Sequence, residues 1–178
     1  MAHLLFVLHG GYAGKKKLAQ HIEEVLKAGT HTFSIQLTNA ANDTTEFVYK
    51  GTQNRYTHII IAGGDGSINE AVNGILKSTR TDVVLGILPC GTGNDFVKTI
   101  GSPQTVEGLV KAIDNNSVQT IDVGHAEFTG TDGHTQERYF ANITDVGLGG
   151  LAAQLLSSTP KWFRSEERRV GKECRSRW

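Results

Sequence analysis

Two short glycine-rich stretches concentrate the residue types able to do chemistry. Gly63-Gly64-Asp65-Gly66 follows the apolar run His58–Ala62, and Gly91-Thr92-Gly93-Asn94-Asp95 follows the apolar run Val83–Leu88. Without side chains the backbone can approach an anion closely and adopt φ > 0. Successive N–H groups at such a turn, together with the positive end of a helix starting near Ser67, suit phosphate oxygens. The Asp65 carboxylate repels phosphate, so its place beside such a site makes sense when a cation bridges the two. Mg²⁺ takes one or two carboxylates together with waters and substrate phosphates. A structural reading stands beside this one. Ser67-Ile68-Asn69-Glu70 fits a capping box, Thr92-Gly93-Asn94-Asp95 fits its looser form, and glycine turns also simply end strands. Two such loops at neighbouring strand ends, each with an aspartate near a helix start, favour the functional reading.

The elements that must position these loops follow from hydrophobic periodicity. His3–Leu8 reads as a strand ended by Gly10-Gly11. Lys15–Ala28 places Leu18, Ile22, Val25 and Leu26 on one helical face, with Gly29 as its stop. Thr32–Leu37 alternates as a second strand, and Asp43–Lys50 reads as a short helix. His58–Ala62 is apolar throughout, as a central parallel strand covered on both faces would be. Ser67–Lys77 carries Ile68, Ala71, Val72, Ile75 and Leu76 at helical spacing; Val83–Leu88 is a fourth strand and Thr105–Ile113 a further helix. This rhythm predicts an α/β fold of three layers, a parallel sheet with helices on both sides. The pattern changes near Ser117. Val118–Val123 and Tyr139–Ile143 read as strands around a polar hairpin loop, "FTGTDGHTQE". The expected division is an α/β domain over 1–122 and the beginning of an incomplete β-rich second domain over 123–163.

Composition excludes several classes. Apolar residues make up 38% of the 178 and charged residues 20%, a globular and not a disordered balance. No apolar run approaches the roughly 20 residues that cross a bilayer, so no transmembrane segment is expected. The start, "MAHLLFVLHGG", reads as a first strand and not as a signal peptide. Cys90 and Cys174 have neither metal-ligand spacing nor a disulfide framework, which fits a reducing cytoplasm. Net charge is zero but uneven: residues 164–178 hold six Lys/Arg and three Asp/Glu, against 12 and 15 in the rest. A basic tail can bind nucleic acid or anionic lipid. "RSEERRVGKECRSRW", however, resembles a translated sequencing-adapter read-through, so 164–178 is set aside as a non-native tail and nucleic acid is not expected as a partner. On that reading the natural protein continues beyond Phe163. Lys15-Lys16-Lys17, the one other basic cluster, reads as a solvated helix start.

Common phosphate-binding patterns fail. Asn69 stands where the dinucleotide fingerprint needs its third glycine, and "HGGYAGKK" breaks the Walker pattern at His9 and Lys16. Instead, "GGDGSINEAVNGI" paired with "LPCGTGNDFVKTIG" resembles the catalytic domain of the diacylglycerol kinase family, which includes sphingosine and ceramide kinases and bacterial lipid kinases. "TIDVG" and "RYFANITDVGLGG" resemble the segments linking such a domain to its β-sandwich partner, so the resemblance covers nearly all of residues 3–163.

The resemblance implies ATP-dependent transfer of the γ-phosphoryl group to a lipid hydroxyl, such as that of diacylglycerol, with Mg²⁺. Gly63, Gly64, Asp65, Gly66, Ser67, Ile68 and Asn69 match the family's main nucleotide loop, Thr92 its second loop, and Thr38 a further nucleotide contact. Asp65, Asp95 and Asp122 fall on an aspartate network that holds Mg²⁺ and its waters, with Asp65 in the catalytic role. The first-strand turn departs from the family: His9-Gly10-Gly11-Tyr12-Ala13-Gly14 lacks the usual Asn-Pro, and these residues stay outside the predicted site. No histidine offers a general base; in the resembling enzymes an acidic base comes from the second domain. The implied partner is a lipid substrate at the membrane surface, reached by peripheral association from the cytoplasm, and a homodimer stays open. The 178 residues alone are expected to bind nucleotide weakly at best. Two alternatives remain, a soluble-substrate kinase of the NAD kinase type and a non-catalytic nucleotide-binding module.

Overall fold

The computed structural model describes residues 1–80, 82–144, 149–151 and 155. The chain divides into two compact units, Met1–Asn142 and Ile143–Trp178. In the second unit, residues 149–151 and 155 are helical. The stretch 164–178 lies outside the described residues.

The first unit is built on four parallel strands, β1 (His3–Leu8), β2 (Thr32–Leu37), β3 (His58–Gly63) and β4 (Val84–Pro89), in the order β2-β1-β3-β4. Side chains alternate across a strand. In β1, Leu4, Phe6 and Leu8 therefore face one layer while Leu5 and Val7 face the other. Ile60 and Ala62 of β3 join the first set, and Ile59 and Ile61 the second. The first face is covered by α1 (Lys15–Lys27) through Ile22 and Leu26, and by α5 (Val106–Asp114) through Val106 and Leu109. The second is covered by α2 (Asp43–Gln53) through Val48 and by α3 (Asp65–Leu76) through Ala71. The central strands are apolar on both faces because both are covered, as the continuous Ile59-Ile60-Ile61 run requires. The predicted three-layer α/β architecture with a parallel sheet is present.

Several local expectations need correction. Helix α3 starts at Asp65, two residues before Ser67: Gly64 is its N-cap, extended at φ −105 and ψ −171, and Ser67 sits inside the first turn. No side chain of its own caps α3, so the capping box at Ser67 does not form. The segment after the second glycine loop folds into a short helix, α4 (Asp95–Ile100), which periodicity over six residues could not reveal. Its N-cap is Asn94, left-handed at φ 53, and not Thr92. Val118–Val123 forms no strand. The hairpin lies later, as β5 (Gly124–Thr129) and β6 (Thr135–Phe140), with antiparallel register Gly124↔Phe140 to Thr129↔Thr135. Much of the stretch read as a loop is strand. Both strands are largely exposed and therefore polar, so the apolar signal used to find them is missing.

The hairpin docks on α3 mainly through Asn73, with Asn69 beside it. Asn73 is buried; its Nδ2 donates to the Tyr139 carbonyl at 2.9 Å and its Oδ1 accepts from the Tyr139 N–H at 3.0 Å. One amide thereby satisfies both backbone groups that β6 turns away from β5. Within the described residues no helix is long and apolar enough to cross a membrane.

Candidate nucleotide-binding site

The two helices that follow the adjacent strands β1 and β3 lie on opposite faces of the sheet. Their departing loops diverge at the carboxyl ends, which is where open α/β sheets place ligands. Leu8 pairs with Ala62, and the His9 N–H donates to the Ala62 carbonyl at 2.9 Å, so the turn after β1 sits beside the Gly63 loop.

The two glycine loops touch. A Cβ on Gly91 would lie 2.6 Å from the Gly64 Cα, a contact that no side chain tolerates. The Cys90 N–H donates to the Gly63 carbonyl at 2.9 Å and continues the β3–β4 ladder into the loops. Burial pushes the Cys90 thiol pKa up, which keeps this residue neutral beside the turn.

Asp65 ties the loops further. Its Oδ2 accepts the Asp95 N–H at 3.4 Å and its Oδ1 the Phe96 N–H at 3.2 Å. Asp65 thus caps α4 across 30 residues of chain while occupying the first position of α3, where a negative charge is favoured. Asn94 folds the second loop: its Oδ1 accepts from the Gly91 N–H at 3.1 Å and its Nδ2 donates to the Gly91 carbonyl at 2.8 Å. The N–H groups of Cys90, Gly91, Asp95 and Phe96 are therefore committed within the protein. The second loop mainly supports the first, where the first-turn N–H groups of α3 have no intrahelical acceptor.

The expected site residues fall into three groups. Gly63, Gly64, Asp65, Gly66 and Ser67 form the β3 turn, and Thr92 and Asp95 stand in the loop that packs on it. A Cβ on Gly93 would meet the Asp65 Oδ2 at 3.0 Å and the Asp95 Oδ2 at 3.6 Å, so both carboxylates border one space. Ile68 points away, buried with Ile87, Phe96 and Val97. Asn69 donates to the Tyr139 carbonyl at 3.3 Å. Asp122 is exposed between α5 and β5. Among the described residues no group of three or more His, Cys, Asp or Glu is gathered to hold a metal ion. Asp65 and Asp95 as a pair still fit a cation held through one or two carboxylates, because each Asp65 oxygen accepts one hydrogen bond and retains a lone pair.

Thr38 belongs to a cavity of about 570 Å³ at the ends of β1 and β2, a size ordinary for small-molecule sites. His9, Gly10, Lys15, Thr44 and Glu70 also line it, none of which the sequence reading placed in the site. The Gly10 N–H donates to the Thr38 Oγ1 at 3.0 Å, and a Cβ on Gly10 would come within 1.8 Å of the Thr38 carbonyl oxygen. This turn therefore requires glycine at position 10. Lys15 is partly buried, and its Nζ donates to the Gly10 carbonyl. The outer wall is set by Asp43, whose Oδ2 accepts from the Asn39 and Ala40 N–H groups at 2.7 and 2.8 Å. These bonds hold the Asp43 pKa below the usual carboxylate value.

A family model described as the diacylglycerol kinase catalytic domain matches residues 3–126, and the chain belongs to that family. It is 35% identical to a diacylglycerol kinase of Bacillus subtilis (strain 168), over 85% of this chain and 46% of that protein. It is 31% identical to a diacylglycerol kinase of Staphylococcus haemolyticus, over 89% of this chain and 45% of that protein. A crystal structure of a diacylglycerol kinase from Bacillus anthracis superimposes with a TM-score of 0.59 at 26% identity, covering 71% of this chain and 47% of the other. The chain spans about half the length of the relatives it matches.

Proposed function

We propose that this chain forms the nucleotide-binding part of an ATP-dependent lipid kinase that transfers the γ-phosphoryl group to a lipid hydroxyl such as that of diacylglycerol. The observation that carries the reading is the Gly64–Gly91 contact locked by Asp65, which makes one site of two loops. Phosphoryl transfer asks mainly for positioning and charge neutralisation. Backbone N–H groups at the start of α3 receive phosphate oxygens, with Gly63 to Ser67 around them and Thr92 at the facing loop. Asp65, helped by Asp95, holds Mg²⁺, which supplies screening of the phosphate charge. Thr38 contacts the nucleotide in the cavity beside the turn. The acceptor pocket and a base within about 3 Å of the attacking hydroxyl belong to a second, β-rich domain that starts at residue 123. The enzyme meets its lipid as a peripheral protein on the cytoplasmic membrane surface.

The test is an assay of phosphate transfer from ATP to diacylglycerol in mixed micelles, run beside an ATP-binding titration of the same 178-residue chain. The expected result is Mg²⁺-dependent ATP binding with little transfer. Absence of ATP binding contradicts the nucleotide reading, and robust transfer contradicts the assignment of acceptor pocket and base to a second domain.

A further inference from the structure

We propose that Lys15 is a specificity-determining residue of the cavity at the ends of β1 and β2, where its ammonium binds a phosphate group of the nucleotide; this rests on the nucleotide reading above. Lys15 lines that cavity, and its Nζ is drawn to the Gly10 carbonyl at the rim. An ammonium has three donors, so two remain for a ligand. Among the described residues no carboxylate pairs with it, although Glu70 lines the same cavity from α3. Cation and carboxylate therefore line one cavity without forming a salt bridge.

The local electrostatics of α1 point the same way. Its first turn carries Lys15, Lys16 and Lys17, no acidic residue and no side-chain cap. Cations at the positive end of a helix are unfavourable, and an anion bound there relieves the repulsion. Such a breach of a local rule is expected at a functional position. The geometry that holds Lys15 is also fixed. Gly10 is pressed against Thr38, to whose Oγ1 its N–H donates, so the carbonyl that anchors the ammonium cannot drift. The Thr38 hydroxyl, acceptor in that bond, keeps its own proton to donate to the same ligand. The position of Lys15 then selects phosphorylated over unphosphorylated nucleoside.

Calorimetric titrations of the full chain with ATP, adenosine and inorganic tripolyphosphate, all with Mg²⁺ present, test this. Lys15→Met is expected to weaken ATP and tripolyphosphate binding by about tenfold or more while leaving adenosine unchanged. Lys15→Gln, which keeps a donor for the Gly10 carbonyl but no charge, is expected to show the same loss, and Lys15→Arg to regain most of it. Lys17→Met, exposed on the same turn, leaves all three unchanged. ATP affinity of both neutral variants within about twofold of the unaltered chain overturns the proposal and leaves the nucleotide reading standing. Lys15-dependent tripolyphosphate binding with no gain from the nucleoside supports the anion site and overturns the nucleotide reading. Binding of neither ligand overturns both.

Discussion

Gly64 and Gly91 meet backbone to backbone: a Cβ on Gly64 would stand 3.2 Å from the Gly91 Cα, and one on Gly91 2.6 Å from the Gly64 Cα. Loops that end neighbouring strands have no need to touch. These two are drawn together by the continued β3–β4 ladder and by Asp65 reaching into α4.

Gly91→Ala forces that contact apart. The new methyl meets backbone on one side and the Asn94 Oδ1, 2.8 Å away, on the other. Overpacking of this kind costs about 1–3 kcal/mol. Urea unfolding is expected to show that loss, and an ATP titration a weaker affinity. A variant with unchanged stability would show that the loops separate freely.

Asp65 carries two roles that substitution can divide. Asp65→Ala leaves the Asp95 and Phe96 N–H groups without their acceptor, with a loss of about 0.5–2 kcal/mol, as for other helix caps. Asp65→Asn keeps one oxygen acceptor and is expected to recover part of that stability. Both variants should lose the Mg²⁺-dependent share of ATP affinity, read by titration with and without the ion. Full Mg²⁺ dependence in Asp65→Asn would remove the carboxylate from the cation site.

Asn73 holds the hairpin. Asn73→Ala takes the side-chain acceptor from the Tyr139 N–H and leaves its carbonyl with the longer Asn69 bond alone, and an unsatisfied group of this kind costs about 1–3 kcal/mol. Hydrogen exchange at the Tyr139 amide is the readout. The expected result is exchange about tenfold or more faster than in the unaltered chain; equal protection would mean that β6 is held by other contacts.

His58 gives the fold a pH dependence of known sign. Partial burial, and secondly the charge of His31, depress its pKa below the usual 6.5. The unfolded chain therefore takes up the proton first as pH falls. The associated stability is present above pH 6.5 and is lost as pH drops through the folded-state value. Denaturation midpoints measured between about pH 7.5 and 5 should fall, and His58→Gln should flatten the fall. An identical slope in the variant would assign the effect elsewhere.

The sheet was legible because its strands obey simple patterns. β1 and β2 begin and end where alternation and the glycine turns say, and β3 announces two covered faces through consecutive isoleucines. The family was legible because two glycine loops are specific as a pair. Contacts made across the chain were not. Asp65 capping α4 and Asn73 holding Tyr139 join residues 30 and 66 positions apart, and no local pattern encodes either. The cavity role proposed for Lys15 has no local signal, because three lysines at a helix start look the same whether solvated or lining a cavity. The strands of the hairpin were misplaced because their exposed faces carry no apolar signal.

The most direct test of the account is an amide chemical-shift titration of the ¹⁵N-labelled chain with ATP and Mg²⁺. Signals of Gly64, Gly66 and Ser67 in one loop and Thr92 and Gly93 in the other should move together along a single binding curve. Movement confined to one loop, or none in either, would contradict a shared site.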